Sequence, residues 1–142
     1  MQITKFSDIA LRVMMAVAHD ADRLFGITEL STRFRVSKNH MTKVIQSLIG
    51  EGYLKSVRGR HGGIQIAKSP SSITLGDIVR CTETTTRIIN CKTADCPLYP
   101  ECNLQGILND ANDAFYAALD QHVLANVAKQ NSELDRVLNR SD

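Results

Sequence analysis

Ser37-Lys38-Asn39-His40-Met41-Thr42-Lys43-Val44-Ile45-Gln46-Ser47-Leu48-Ile49-Gly50-Glu51-Gly52 runs directly into Tyr53-Leu54-Lys55-Ser56-Val57-Arg58-Gly59-Arg60-His61-Gly62-Gly63-Ile64-Gln65-Ile66. In the first stretch Ser37 offers the side-chain acceptor that a helix start needs. Met41, Val44, Ile45 and Leu48 recur at i, i+3, i+4 and i+7, a buried stripe that stops at Gly50-Glu51-Gly52. Lys38, Asn39, Thr42, Lys43 and Gln46 are left facing outward, with His40 beside them. In the second stretch two β-prone runs, Tyr53 to Val57 and Ile64 to Ile66, flank a glycine-rich basic tip, where glycine permits a tight hairpin and close approach to a phosphate backbone.

Toward the N-terminus the pattern predicts a first helix capped by Ser7, with Asp8 in its first turn and Ile9, Val13, Ala16 and Val17 on one face. Gly26 breaks the chain, and Thr28 is expected to cap a short second helix carrying Leu30 and Phe34. Two helices joined by a short turn, the second rich in amide, hydroxyl and cationic groups at its start, have the chemistry of a major-groove reader. Outward polar groups suit a solvated helix equally well. The basic hairpin behind them tips the balance, because helix-turn-helix followed by wing is the winged-helix order, with an ordinary basic hairpin as the alternative. The expected DNA-facing residues are Thr28, Ser37, Lys38, Asn39, His40, Thr42 and Lys43 from the helices, and Arg58, Arg60 and His61 from the wing. Charge agrees: residues 1–80 hold twelve Lys/Arg against six Asp/Glu, and residues 81–142 hold five against nine.

Toward the C-terminus, Lys68 to Ser72 forms a turn-prone linker, and Thr74 with Asp77 makes a capping box ahead of Leu75, Ile78 and Val79. Cys81, near that helix's end, reads as a small buried hydrophobe. Residues 82–103 lack periodicity and contain Cys91, Cys96 and Cys102 among Pro97 and Pro100. From there Leu104, Leu108, Ala111, Phe115 and Ala118 follow alternating steps of four and three, widened by Ile107, Ala114 and Leu119, the seam of paired helices. A two-fold homodimer is the expected cover for that seam, with packing back onto the chain's own winged helix as the alternative. Leu124, Val127, Leu134, Val137 and Leu138 suggest a further short helix. The organisation expected is a winged helix-turn-helix at 1–80, a cysteine loop at 81–103, and a dimerisation helix with tail at 104–142; the fold class is mainly α with a small β-hairpin wing (α+β).

Of the 142 residues, 43% are hydrophobic, enough for a core, but with no Trp that core is mostly aliphatic. No charged leader precedes an apolar run, and the longest apolar stretch, Val13 to Ala18, is too short to span a bilayer, so a cytoplasmic location is expected. In a reducing compartment four cysteines read as thiols or metal ligands rather than disulfide partners. Thiolates favour zinc and iron-sulfur clusters; a closed zinc site wants four ligands, whereas this loop offers three. An iron-sulfur site with one exchangeable ligand, a zinc site, and redox thiols or no metal all remain open from spacing alone. Nothing resembles a nucleophile with its base, a phosphate loop or paired carboxylates, so an enzyme is not expected.

Ser37-Lys38-Asn39-His40-Met41, the wing Val57 to Ile64, Ile73-Thr74-Leu75-Gly76-Asp77-Ile78-Val79 and the three-cysteine loop together resemble the winged-helix iron-sulfur regulators of the NsrR, IscR and RirA group, over nearly the whole chain. Met1 to Asp8 and the cysteine spacing look most like the nitric-oxide-sensing NsrR branch. The resemblance implies a homodimeric repressor on a palindromic double-stranded DNA operator, with an iron-sulfur cluster on Cys91, Cys96 and Cys102. It also implies that a 4Fe-4S cluster takes Asp8 of the partner subunit as fourth ligand. The IscR branch holds a 2Fe-2S cluster with a histidine where this chain has Gln105, a poor iron ligand, and the pattern gives Cys81 no role. Regulation by iron or cluster status, and a zinc-stabilised DNA binder, are the alternative readings.

Overall fold

The computed structural model describes residues 2–89, 91, 96–99, 101–129 and 132–139. The elements are α1 (Lys5–His19), α2 (Ile27–Arg33), α3 (Lys38–Gly50), β1 (Leu54–Val57), β2 (Gly63–Ile66), a 3-10 turn at Pro70–Ser72, α4 (Leu75–Thr82), α5 (Asn103–Asp120), α6 (Leu124–Lys129) and α7 (Ser132–Leu138). This is a mostly helical fold with one antiparallel hairpin, in the winged-helix arrangement that the sequence predicts.

Local rules place α3 and α4 where the sequence does. The Ser37 Oγ accepts from the His40 N–H at 3.3 Å. Thr74 and Asp77 exchange two hydrogen bonds, of 2.9 and 3.0 Å. Two other helix starts correct the expectation. α1 begins after Thr4, whose hydroxyl oxygen accepts from the Ser7 N–H at 3.2 Å. Ser7 is instead fully buried in the first turn, donating to the Glu83 carboxylate at 2.6 Å and accepting from Thr82 Oγ1 at 2.9 Å. α2 begins after Gly26, whose N–H donates to Glu29 while Arg23 pairs with the same carboxylate. Thr28 lies exposed inside the first turn of α2 and caps nothing.

The core gathers Ile9, Val13, Met14 and Val17 of α1 with Phe25, Leu30, the α3 stripe, Leu54, Ile64 and Ile78. In the hairpin Leu54 faces Ile66 and Ser56 faces Ile64, which puts Leu54, Ile64 and Ile66 on the buried side. Phe25 adds a third bridge, exchanging backbone hydrogen bonds with Ile64 at 3.0 and 2.9 Å. Only glycine fits next to it, because a Cβ on Gly63 would stand 2.8 Å from the Phe25 carbonyl oxygen.

The tail forms two short helices rather than one, and both return to the N-terminal unit: Leu124, Leu134 and Leu138 belong to the common core. The chain is stitched there by Leu124 N–H to Ile73 O at 2.8 Å and Leu75 N–H to His122 O at 2.9 Å. The start of the α5 seam is not covered by the chain's own winged helix, whereas Leu108, Phe115 and Leu119 are half-buried. Leu104 and Ile107 are 58% and 64% exposed, and Ala111, Ala114 and Ala118 are exposed as well. The buried residue of α5 is Tyr116, off the seam and lying under the Arg80 guanidinium at 4.6 Å. Arg80 also grips Asp120 with two hydrogen bonds of 2.7 and 2.6 Å. That crossing of α4 and α5 requires Gly76, where a Cβ would lie 1.9 Å from an Asp120 oxygen.

Candidate functional site

The candidate site has two parts, the basic surface expected to face DNA and the cysteine loop. On the reading surface Ser37, Lys38, Asn39 and Lys43 are exposed along the start of α3, with Gln46 a turn further on. Thr42 is half-buried, and its hydroxyl donates to the Lys38 carbonyl at 2.8 Å, which leaves its oxygen to accept but spends its proton inside the helix. His40 is half-buried, its ring 6.2 Å from that of Phe6, so it leans on α1 instead of standing free. On the wing Arg58, Arg60 and His61 are all exposed. Their tip is shaped by Gly59, at φ 122°, and by Gly62, whose N–H donates to the Gly59 carbonyl at 3.0 Å. A Cβ on Gly62 would stand 2.2 Å from the Val57 carbonyl oxygen.

One exposed arginine beside these residues has no place in the sequence reading. Arg35 occupies the turn between α2 and α3 with φ 53°, and its side chain is exposed. Nothing in the sequence marks an arginine as left-handed; its position between two helices is the only signal.

In the loop Cys91, Cys96 and Cys102 are free thiols, each partly exposed. Cys102 is the N-cap of α5, and residues 90, 92–95 and 100 of the loop, Pro100 among them, lie outside the described residues. Among the described residues no three His, Cys, Asp or Glu side chains converge at metal-binding spacing, so the structure does not bring the three thiols together. Asp8 sits in the first turn of α1, paired with Arg12 at 2.7 and 3.0 Å and 41% exposed. Cys81 lies outside the loop, near the end of α4. It is half-buried, its thiol donates to the Ile78 carbonyl, and burial pushes its pKa up to about 11, with Glu51 adding to the effect, so it stays a neutral thiol at ordinary pH.

The two parts are connected through Glu83, which sequence reasoning passed over. It stands where α4 ends and the cysteine loop begins, and one of its oxygens accepts from the Thr4 N–H at 2.7 Å and from the Ser7 hydroxyl at 2.6 Å. Burial works against ionisation there, but the hydrogen bonds from Ser7 and Thr4 prevail and hold its pKa below the usual carboxylate value. The start of α1, with Asp8 next to Ser7 and Phe6 against His40, is thereby fastened to the root of the loop.

Among the described residues no helix is long and apolar enough to cross a membrane. The chain is similar in structure to CymR, the global cysteine regulator of B. subtilis, with a TM-score of 0.76 and 21% identity over 93% of this chain and 99% of that one. The oxidized form of Staphylococcus aureus CymR gives 0.74 and 21% over the same shares. IscR of T. potens gives 0.75 and 20%, over 100% of this chain and 93% of that one. At such identities these likenesses speak for the winged-helix fold. Residues 3–130 match the Rrf2 family, described as an iron-dependent transcriptional regulator. By that match, which covers most of its length, the chain belongs to the Rrf2 family and is a DNA-binding regulator of transcription, not an enzyme.

Proposed function

We propose that this chain is a homodimeric repressor whose affinity for a palindromic operator is set by an iron-sulfur cluster and released by nitric oxide. The observation that carries the reading is a set of three unpaired cysteines, Cys91, Cys96 and Cys102, between α4 and the N-cap of α5 in a chain of an iron-dependent family. The donor chemistry fits such a cluster: three soft thiols, reduced and partly exposed, with Gln105 offering no useful ligand beside them. Cys91, Cys96 and Cys102 would hold a 4Fe-4S cluster, with Asp8 of the partner subunit as the fourth and harder donor. When bound, the cluster supplies iron that nitric oxide can attack.

The chain's own residues link that site to DNA. Asp8 has a second partner within its own helix, Arg12, to which it is paired in this structure. A carboxylate shared between an arginine and a metal site is a two-position element, and its neighbour Ser7 is tied through Glu83 to the loop. On the other side of α1, Phe6 bears on His40 of α3, so a shift at the start of α1 reaches the reading helix. Thr28, Ser37, Lys38, Asn39, His40, Thr42 and Lys43, with Arg58, Arg60 and His61 of the wing, form the proposed DNA surface. Because the family is described as iron-dependent, regulation by iron or cluster status is the second reading.

The test is to purify the chain without oxygen, assay iron and sulfide, and titrate wild type and Asp8→Ala with nitric oxide while following visible absorption and binding to its own promoter DNA. A coloured wild-type protein that releases DNA during the titration, and an Asp8→Ala protein with a smaller change in affinity, are expected. Such coupling is typically about 5- to 150-fold. A colourless zinc protein would sink the cluster reading. Binding that follows iron supply but ignores nitric oxide would favour the second reading, and identical titrations would remove Asp8 from the switch.

A further inference from the structure

Arg35 is the one non-glycine residue at positive φ among the described residues, at 53°. In that left-handed region the Cβ of an L-residue crowds the following carbonyl oxygen, and glycine or asparagine sits there at lower cost. The conformation belongs to the turn and not to the side chain. The Arg35 N–H donates to the Thr32 carbonyl at 3.2 Å, the Val36 N–H donates to the Ser31 carbonyl at 3.0 Å, and the Ser31 hydroxyl donates to the Val36 carbonyl at 2.6 Å. With the backbone set by its neighbours, the side chain at this position is free to vary, and the chain carries a strained arginine there.

The arginine is not compensated from within. Its side chain is exposed and, among the described residues, makes no hydrogen bond, ion pair or ring contact, whereas Arg12, Arg23 and Arg80 each have a carboxylate partner. Strain kept at a position with no internal reward points to a contact outside the chain. The surroundings say what kind. Ser37, which caps α3, is two residues on, and Lys38 follows it, so the turn opens onto the N-terminal end of the proposed DNA-reading helix. A guanidinium fork matches two phosphate oxygens, and residues just ahead of a reading helix lie over the backbone rather than the bases.

We propose that Arg35 is a backbone-phosphate contact, set in place by the left-handed turn, that fixes the register of α3 on the duplex without reading sequence. The proposal rests on the reading of α3 and the wing as the DNA surface. Its test uses the full chain, purified without oxygen, and a mixed-sequence duplex long enough for a dimer, because a phosphate contact acts on any sequence. Arg35→Gly, Arg35→Gln and Arg35→Lys are compared with wild type across a salt series, with thermal unfolding measured alongside.

The glycine and glutamine variants are expected to bind about tenfold more weakly, with the slope of log affinity against log salt reduced by about 0.9 per protomer, while lysine retains the slope. Glycine is also expected to hold or raise the thermal midpoint, since it suits the backbone better. Unchanged salt slopes for glycine and glutamine, with wild type binding normally, would overturn the role of Arg35 alone. A lowered midpoint for the glycine variant would show that Arg35 supports the turn itself and would overturn it too. Failure of wild type to bind any duplex would overturn the DNA surface, and the assignment of Arg35 with it.

Discussion

At the scale of single residues, one cysteine of the four is set apart by its place on a helix. Cys81 is half-buried at the end of α4 with its thiol raised to about 11, so at neutral pH it is a poor nucleophile and a poor ligand. Cys91, Cys96 and Cys102 stand between α4 and α5 as free, partly exposed thiols. With the three loop thiols as the proposed ligands, alanine at any of those positions is expected to abolish or greatly reduce bound iron and sulfide, whereas Cys81→Ala keeps both and its colour. Iron and sulfide assays on the four variants check this, and a colourless Cys81→Ala beside a coloured Cys102→Ala would force the ligand set to be redrawn. Cysteine spacing was open to reading in the sequence because ligand type and separation are properties of the chain itself. Ser7 was not: a serine ahead of an apolar stripe looks like a cap, and only the arrival of Thr82 and Glu83, more than seventy positions later, shows that its hydroxyl is spent elsewhere.

Between elements, His19 clamps the tail. Nδ1 lies 2.8 Å from the Ala128 carbonyl at the end of α6 and Nε2 lies 2.6 Å from the Asp135 carboxylate of α7. Both partners are acceptors, so the doubly protonated ring, which donates from both nitrogens, satisfies them together. The Ala128 carbonyl is the chief cause of a pKa raised above 6.5; burial opposes it, and Asp135 and Asp20 reinforce it. A folded-state pKa above the unfolded one means stabilisation that is fully present below pH 6.5 and lost as pH climbs through the raised value. The thermal midpoint of wild type is thus expected to fall more steeply above pH 6.5 than that of His19→Gln, whose amide does not titrate. Parallel midpoints for the two proteins would show that His19 carries no pH-dependent stability. The same scale explains Gly76, a helical glycine that seems wasteful in α4 until the Asp120 carboxylate of α5 is seen to occupy the space of its missing side chain.

On the scale of the whole molecule, α5 packs on α4 at its C-terminal end and leaves the apolar face of its first turns uncovered. Leu104 and Ile107 face solvent while α6 and α7 rejoin the core, so the uncovered face belongs to one helix and not to the entire C-terminal third. Covering it with the same face of a second copy would bury about 2 kcal/mol of apolar side chain at each such position, repeated by symmetry. Leu104→Asp with Ile107→Asp is expected to yield a folded monomer with wild-type helix content and an affinity for DNA weakened at least tenfold, since each half-site must then be bound alone. Sedimentation equilibrium with circular dichroism would check both halves of this. A double variant that remains dimeric would move the interface away from α5.

What the sequence determined by itself was the part governed by neighbours in the chain: the capped, striped helix α3, the glycine-rich basic wing, the capping box of α4 and the periodic apolar seam of α5. Periodicity, caps and turn chemistry are short-range, and they are written in the order of the residues. Tertiary structure alone decided that Ser7 is a buried link, that Glu83 ties the root of the loop to α1, that the tail closes the core, and that Arg35 is held left-handed. Each of these depends on groups brought together from distant positions, or on a backbone angle imposed by the turn around it, and neither is encoded in local pattern.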